Sequence, residues 1–193
     1  GGIPAVLVAA FIVKELPIYL RERAVVLQIP AYMLSKLLPL AVLCAIQCLS
    51  FLAIVTQVID FPGSFLDRFV VLFLAGFAAT GMGLAVSAFV ASNDKAIAIL
   101  PLLLIPQFIL SNTIVHLDGI AETVAKLSVI SYWSLDAMRS TLEQSVLNLR
   151  GTDGSPFIRL SADWQTDVLA TAALALGFLM LAMIGLKLRD RKV

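Results

Sequence analysis

The sequence predicts an all-α, polytopic transmembrane helix bundle of four full spans plus a truncated one, joined by short external amphipathic helices. Three observations predict it. The 193 residues are 60% hydrophobic and 14% charged, with a mean hydropathy of +0.98, whereas a soluble domain is about half apolar and about a quarter charged. Four stretches approach or exceed the roughly 20 apolar residues that one crossing of a bilayer core demands. Between the last two lies a long polar interval whose apolar residues still recur at helical spacing.

The elements follow in order. Ile3–Val13 is apolar but too short to span, and reads as the inner end of a truncated helix. It has no basic segment before it and no small-residue cleavage site after it, so no cleavable signal peptide is read there. A charged stretch, KELPIYLRERAVV, runs from Lys14 to Val26. Leu37–Ile59 is the first full span, and Asp60-Phe61-Pro62-Gly63 a tight turn after it. Phe69–Val90 is the second, closed by a polar turn over Ala91–Lys95. Ala96–Val115 is the third, with Pro101 and Pro106 each removing a backbone donor, so a bent or partly unwound helix is expected. Val168–Leu186 is the fourth. In the interval 116–167, Ile120, Val124 and Leu127 share one helical face, and Leu135, Met138, Leu142 and Val146 another. Two short amphipathic helices are expected, with Tyr132–Trp133 between them at the membrane interface.

Charge sets the sidedness. If the spans alternate, one side holds nine basic residues (Lys14, Arg21, Arg23, Lys36, Lys95, Lys187, Arg189, Arg191 and Lys192) against four acids. The other side holds five basic residues against nine acids. The positive-inside rule makes the first side cytoplasmic, with the C-terminus and the opening cluster in it, and makes 116–167 external.

The polarity within the spans is sparse. In the second span Ala75, Ala79, Gly83 and Ser87 form a stripe of small residues that lets another helix approach, either within the chain or from a second copy. Gln47, Gly83, Gln107 and Asn112 are the candidates for helix packing or for lining a translocation path. Since no span carries a charge at its centre, a proton relay or ion pump is disfavoured. A path through such helices would be largely apolar and suits lipid-like or amphipathic cargo.

Enzyme chemistry finds no footing. His116 is the only histidine and has no cysteine or second histidine near it in the sequence to make a metal site. Cys44 and Cys48, one turn apart in an apolar run, imply neither a disulfide nor an oxidising compartment. There is no GxSxG elbow. GMGLAVS in the second span lacks the lysine of a phosphate-binding loop. No basic arm suggests nucleic acid.

The order of the parts is informative. KELPIYLRER is followed by AYMLSKLL opening a helix, then by a small-residue helix ending GLAVSAFVASNDKA. Next come a proline-bearing helix, AILPLLLIPQFILSNTIV, the segment ISYWSLDAMRS and a last helix ending in basic residues. This arrangement resembles the permease domain of type-2 ATP-binding cassette exporters, in particular their G-subfamily-like branch. Ala31, Tyr32, Ser35 and Lys36 match that family's aYxxaK-like stretch. The likeness covers nearly the whole chain and implies a partial transmembrane domain over residues 1–193, lacking the family's first helix and its ATPase domain. It also implies that 14–30 is a cytoplasmic coupling loop docking on that ATPase domain through Glu15, Tyr19, Arg21, Glu22 and Arg23. ATP and magnesium would then be held by the partner, and no cofactor by this chain.

The charges themselves agree with that role. Arg21, Glu22 and Arg23 fan over roughly 200° of a helix, so no one orientation hides them in lipid. The interleaved acids suit a protein partner better than anionic headgroups. The resemblance further implies pairing with a second permease half, as a homodimer, in the bacterial plasma membrane. The alternative from another class is a non-transporting membrane scaffold or assembly subunit that holds a partner near Trp133. A channel is disfavoured by the lack of charged or carbonyl-rich rings.

Overall fold

The computed structural model describes residues 29–58, 64–90, 93–111, 119–142 and 163–190. Six helices fill them: α1 (Ile29–Val58), α2 (Phe65–Phe89), α3 (Asn93–Ile109), α4 (Ile120–Ser128), α5 (Ile130–Ser140) and α6 (Trp164–Asp190). No strand occurs among the described residues. Three helices are long and apolar enough to cross a membrane, over Met33–Val58, Phe65–Phe89 and Trp164–Leu188. The expected third span is shorter than the sequence suggests. Helix α3 has 17 residues, about 25 Å at the usual rise, and ends at Ile109 before a turn at Leu110. It stays helical through Pro101 and Pro106 rather than unwinding. Each proline forfeits only one ladder bond, those to the carbonyls of Ile97 and Leu102, and the neighbouring bonds carry the helix on.

Helix α2 is the hub. Its start is set by Ser64, whose hydroxyl accepts a hydrogen bond from the Asp67 amide at 3.4 Å, while Asp67 complements the positive end of the helix. Helix α1 runs antiparallel to α2. Met33 packs among Leu84, Ala85 and Ala88 at one end, and Cys44 lies against Gly76 and the Phe73 carbonyl further along. Helix α6 runs parallel to α2, because Ala175 meets Ala78 while Ala182 and Leu186 meet Ala88. Parallel neighbours require the chain to return between them, and α3 makes that return.

Small residues govern the α2–α6 seam. A Cβ on Gly185 would lie 2.9 Å from the Ala88 Cβ, and one on Gly81 3.4 Å from the Ala175 carbonyl oxygen. Lipid gives helices no hydrophobic reason to associate, so close backbone approach supplies the attraction through dispersion. The small residues of α2 thus serve packing within the chain. The seam uses Ala78, Gly81, Ala85 and Ala88, however, and Ala75 and Ala79 are only half-buried. With small residues on almost every face of α2, fourfold spacing alone could not pick the buried one.

Helices α4 and α5 form a re-entrant pair. Ile130, the first residue of α5, packs with Ala78, Met82 and Ala175, level with the middle of α2. From there α5 runs back against α6 and α2 toward the end where α6 begins. Tyr132 and Trp133 therefore lie within α5, not between two helices as expected. The faces also differ from those the spacing suggests. Ile120, Val124 and Leu127 share a face that is exposed, whereas Ala125, Val129, Ile130, Tyr132, Asp136 and Ala137 are buried. Hydropathy finds an apolar face, but beside lipid that face turns outward and the small and aromatic residues fill the seam.

Candidate functional site

Gln107 lies one residue after Pro106, where α3 meets α2 and the junction of α4 and α5. Its side-chain oxygen accepts from the amides of Ile130 at 2.8 Å and Ser131 at 3.4 Å. Its amide nitrogen donates to the Ser128 carbonyl at 3.0 Å and lies 3.9 Å from the Met82 sulfur. The reason is local to α5. Its N-cap residue is Val129, which has no side-chain acceptor, so the first amides of α5 are orphans unless another element caps them. Gln107 caps them from α3 and at the same time binds the end of α4.

Aromatic and charged contacts brace the pair. Trp133 donates its indole N–H to the Lys126 carbonyl at 2.8 Å, and Tyr132 its hydroxyl to Glu122 at 3.4 Å. The two rings meet edge to face at 5.2 Å. Lys126 and Glu122 pair at 2.7 Å across one turn. The hydrogen bond to the Glu122 carboxylate holds the Lys126 ammonium above its ordinary pKa.

Two clefts flank Gln107. One of about 500 Å³ is walled by Val86 and Phe89 of α2, Leu103 and Pro106 of α3, and Phe178 and Leu181 of α6, among others. The other, of about 490 Å³, is walled by Ala75 and Ala79 of α2, Leu104 and Phe108 of α3, and Ser131 and Ser134 of α5, among others. The first takes α2 residues from Met82 to Val90 and the second those from Ala75 to Met82, so the clefts are stacked along the helix. Among the described residues no charged side chain lines either. Each falls in the size range of small-molecule sites, about 300–1,000 Å³.

A second polar feature sits nearer the start of α2 and α6. Arg68, Asp136 and Asp167 are all buried. Asp136 lies 3.9 Å from Arg139. Asp167 is 0% exposed, and both of its carboxyl oxygens lack a hydrogen-bond partner among the described residues. The Thr171 hydroxyl donates to its backbone carbonyl at 2.8 Å. Sequence reading counted these three among external charges and missed their burial. The available signal was that Arg68 and Asp167 lie at the fourth residue of long apolar helices.

The residues expected at the site divide as follows. Gln107 lines both clefts. Gly83 is buried in α2, and Gln47 is exposed on α1 away from the clefts. Asn112 and the coupling residues Glu15, Tyr19, Arg21, Glu22 and Arg23 lie outside the described residues. Among the described residues no group of three or more His, Cys, Asp or Glu side chains could hold a metal ion.

Helices long and apolar enough to cross a membrane, with apolar clefts between them, mark an integral membrane protein. The family model for the ABC-2 type transporter matches residues 2–142, and the chain belongs to that family. No curated protein matches the chain. Membership makes the chain a permease component and implies pairing with an ABC ATPase.

Proposed function

We propose that the chain is the membrane-spanning half of an ATP-driven exporter that moves a lipid-like or amphipathic substrate. The observation that carries this reading is the pair of uncharged, mainly apolar clefts stacked along α2 in a permease of the ABC-2 type transporter family. Two halves pair as a homodimer, and an ATPase domain closes beneath each. Residues 14–30 transmit that closure, through Glu15, Tyr19, Arg21, Glu22 and Arg23. The end of the bundle near Met33, Phe89 and Leu186 faces the cytoplasm of a bacterial cell, since Lys36, Lys95 and Lys187 gather there. The re-entrant pair then opens to the outside.

The test reconstitutes the full-length protein with its ATPase domain in vesicles and measures hydrolysis and flux against a panel of lipids and amphiphiles. Stimulated hydrolysis with vectorial movement of a panel member is the expected result. An ATPase-bound protein that moves none of them, and whose hydrolysis none alters, supports the scaffold instead.

A further inference from the structure

Asp136 and Asp167 stand at nearly the same level of the bundle. Ile130 packs with Ala78 and Ala175, and Asp136 lies further along α5, about 9 Å toward the start of α6. The same rise counted back along α6 from Ala175 reaches Leu169, about 3 Å short of Asp167. The charged neighbours that act on Asp167 are Asp136 and Asp163, both acids. Arg139 of α5 lies against Asp136. Neither it nor Arg68 of α2 donates to Asp167, both of whose oxygens lack a partner among the described residues. The Thr171 hydroxyl, one turn on, is taken by the Asp167 backbone carbonyl.

Resting on the permease reading for which end is external, we propose that this end of the bundle is a proton-operated clasp. With a proton on Asp167, α5 stays docked on α6; when the proton leaves, the two part and water enters. The step is a proton transfer between external water and a carboxyl oxygen. Three observations carry it. Asp167 is 0% exposed, so its charged form would be a bare carboxylate with no donor and a second acid beside it, whereas the neutral form suits the site. Asp163, one turn earlier, is exposed, so outside water is the nearby source of the proton. The first turn of α5 is tied to Gln107 through the Ile130 and Ser131 amides, which confines the parting to the later turns that carry Asp136. Acid therefore tightens the packing, and the stability it gives is lost as pH rises.

The test reconstitutes the full-length protein with its ATPase domain in vesicles whose inner and outer pH are set separately. ATP added outside acts only on molecules whose external end faces the lumen. Infrared difference spectra between about pH 5 and about pH 8 are expected to show the carbonyl band of a neutral carboxyl, absent in Asp167→Asn. Over that range the melting midpoint is expected to rise with acid in the native protein and to stay level in Asp167→Asn. Acidifying the lumen alone is expected to slow hydrolysis at least about threefold in the native protein and not in the variant. Asp136→Asn removes the like charge and keeps Asp167, so its response is expected to move to more acid pH. A band that survives in Asp167→Asn, a pH response equal to the native one in that variant, or an unmoved response in Asp136→Asn overturns the clasp. Absence of flux and of stimulated hydrolysis at every pH overturns the permease reading instead, and the spectra and melting curves, which need no ATP, still decide the clasp.

Discussion

Asp167 is the costliest residue in the described fold. A carboxylate sealed from water and unmatched by donors forfeits its hydration with nothing in return, and Asp167 is 0% exposed with both oxygens unpartnered among the described residues. Asp167→Asn removes the charge, keeps the shape, and is expected to raise stability in detergent by about 1 kcal/mol. Asp136→Asn takes away the partner of Arg139 and is expected to lower it. Melting curves by size exclusion separate the two; equal losses in both would mean that Asp167 is held by a bond of its own. Glycine 76 offers a sharper packing test. A Cβ there would come 2.6 Å from the Cys44 sulfur, so Gly76→Ala should cost about 1–3 kcal/mol. Adding Cys44→Ala makes room, and the double variant is expected to regain most of that loss in the same assay.

At the scale of elements, the long apolar helices were legible from hydropathy because lipid selects for length and apolarity alone. The expected spans beginning at Leu37, Phe69 and Val168 correspond to α1, α2 and α6. The depth of α4 and α5 was not legible. Ser128, Ser131, Ser134 and Asp136 make 119–142 look like a surface segment, yet the backbone groups of Ser128, Ile130 and Ser131 find their partner in Gln107, far away in sequence. Polarity reveals how many hydrogen bonds a segment needs and not where it finds them. Gln107 itself was singled out for being polar within a span, and its role as a cap depended on Val129 being unable to cap α5. The coupling role proposed for residues 14–30 yields its own prediction. Charge reversal at Glu22 or Arg23 is expected to leave membrane insertion intact while at least about tenfold less substrate moves per ATP hydrolysed. Normal transport by both variants refutes the coupling role.

For the whole molecule, the directions of the helices matter most. Antiparallel α1 and α2 and parallel α2 and α6 place Lys187 and Gln165 at opposite ends of the bundle. In a background lacking Cys44 and Cys48, a membrane-impermeant thiol reagent should label Lys187→Cys only from the cytoplasmic face and Gln165→Cys only from the other. Both sites are on exposed positions of α6, so access is not limited by burial. Labelling of both from one face would break the assigned topology. Charge gives an expectation of sidedness that this labelling checks, whereas the neighbour relations of α6 were not legible, because apolar helices carry no address for their partners.

The α2–α6 seam has a consequence for descent. The family match ends at residue 142, yet Gly185 and Ala88 approach so closely that a Cβ at 185 would come 2.9 Å from its neighbour. A side chain gained on one helix must therefore be offset by one lost on the other. Contact thus ties a helix that lies beyond the family match to one that lies within it.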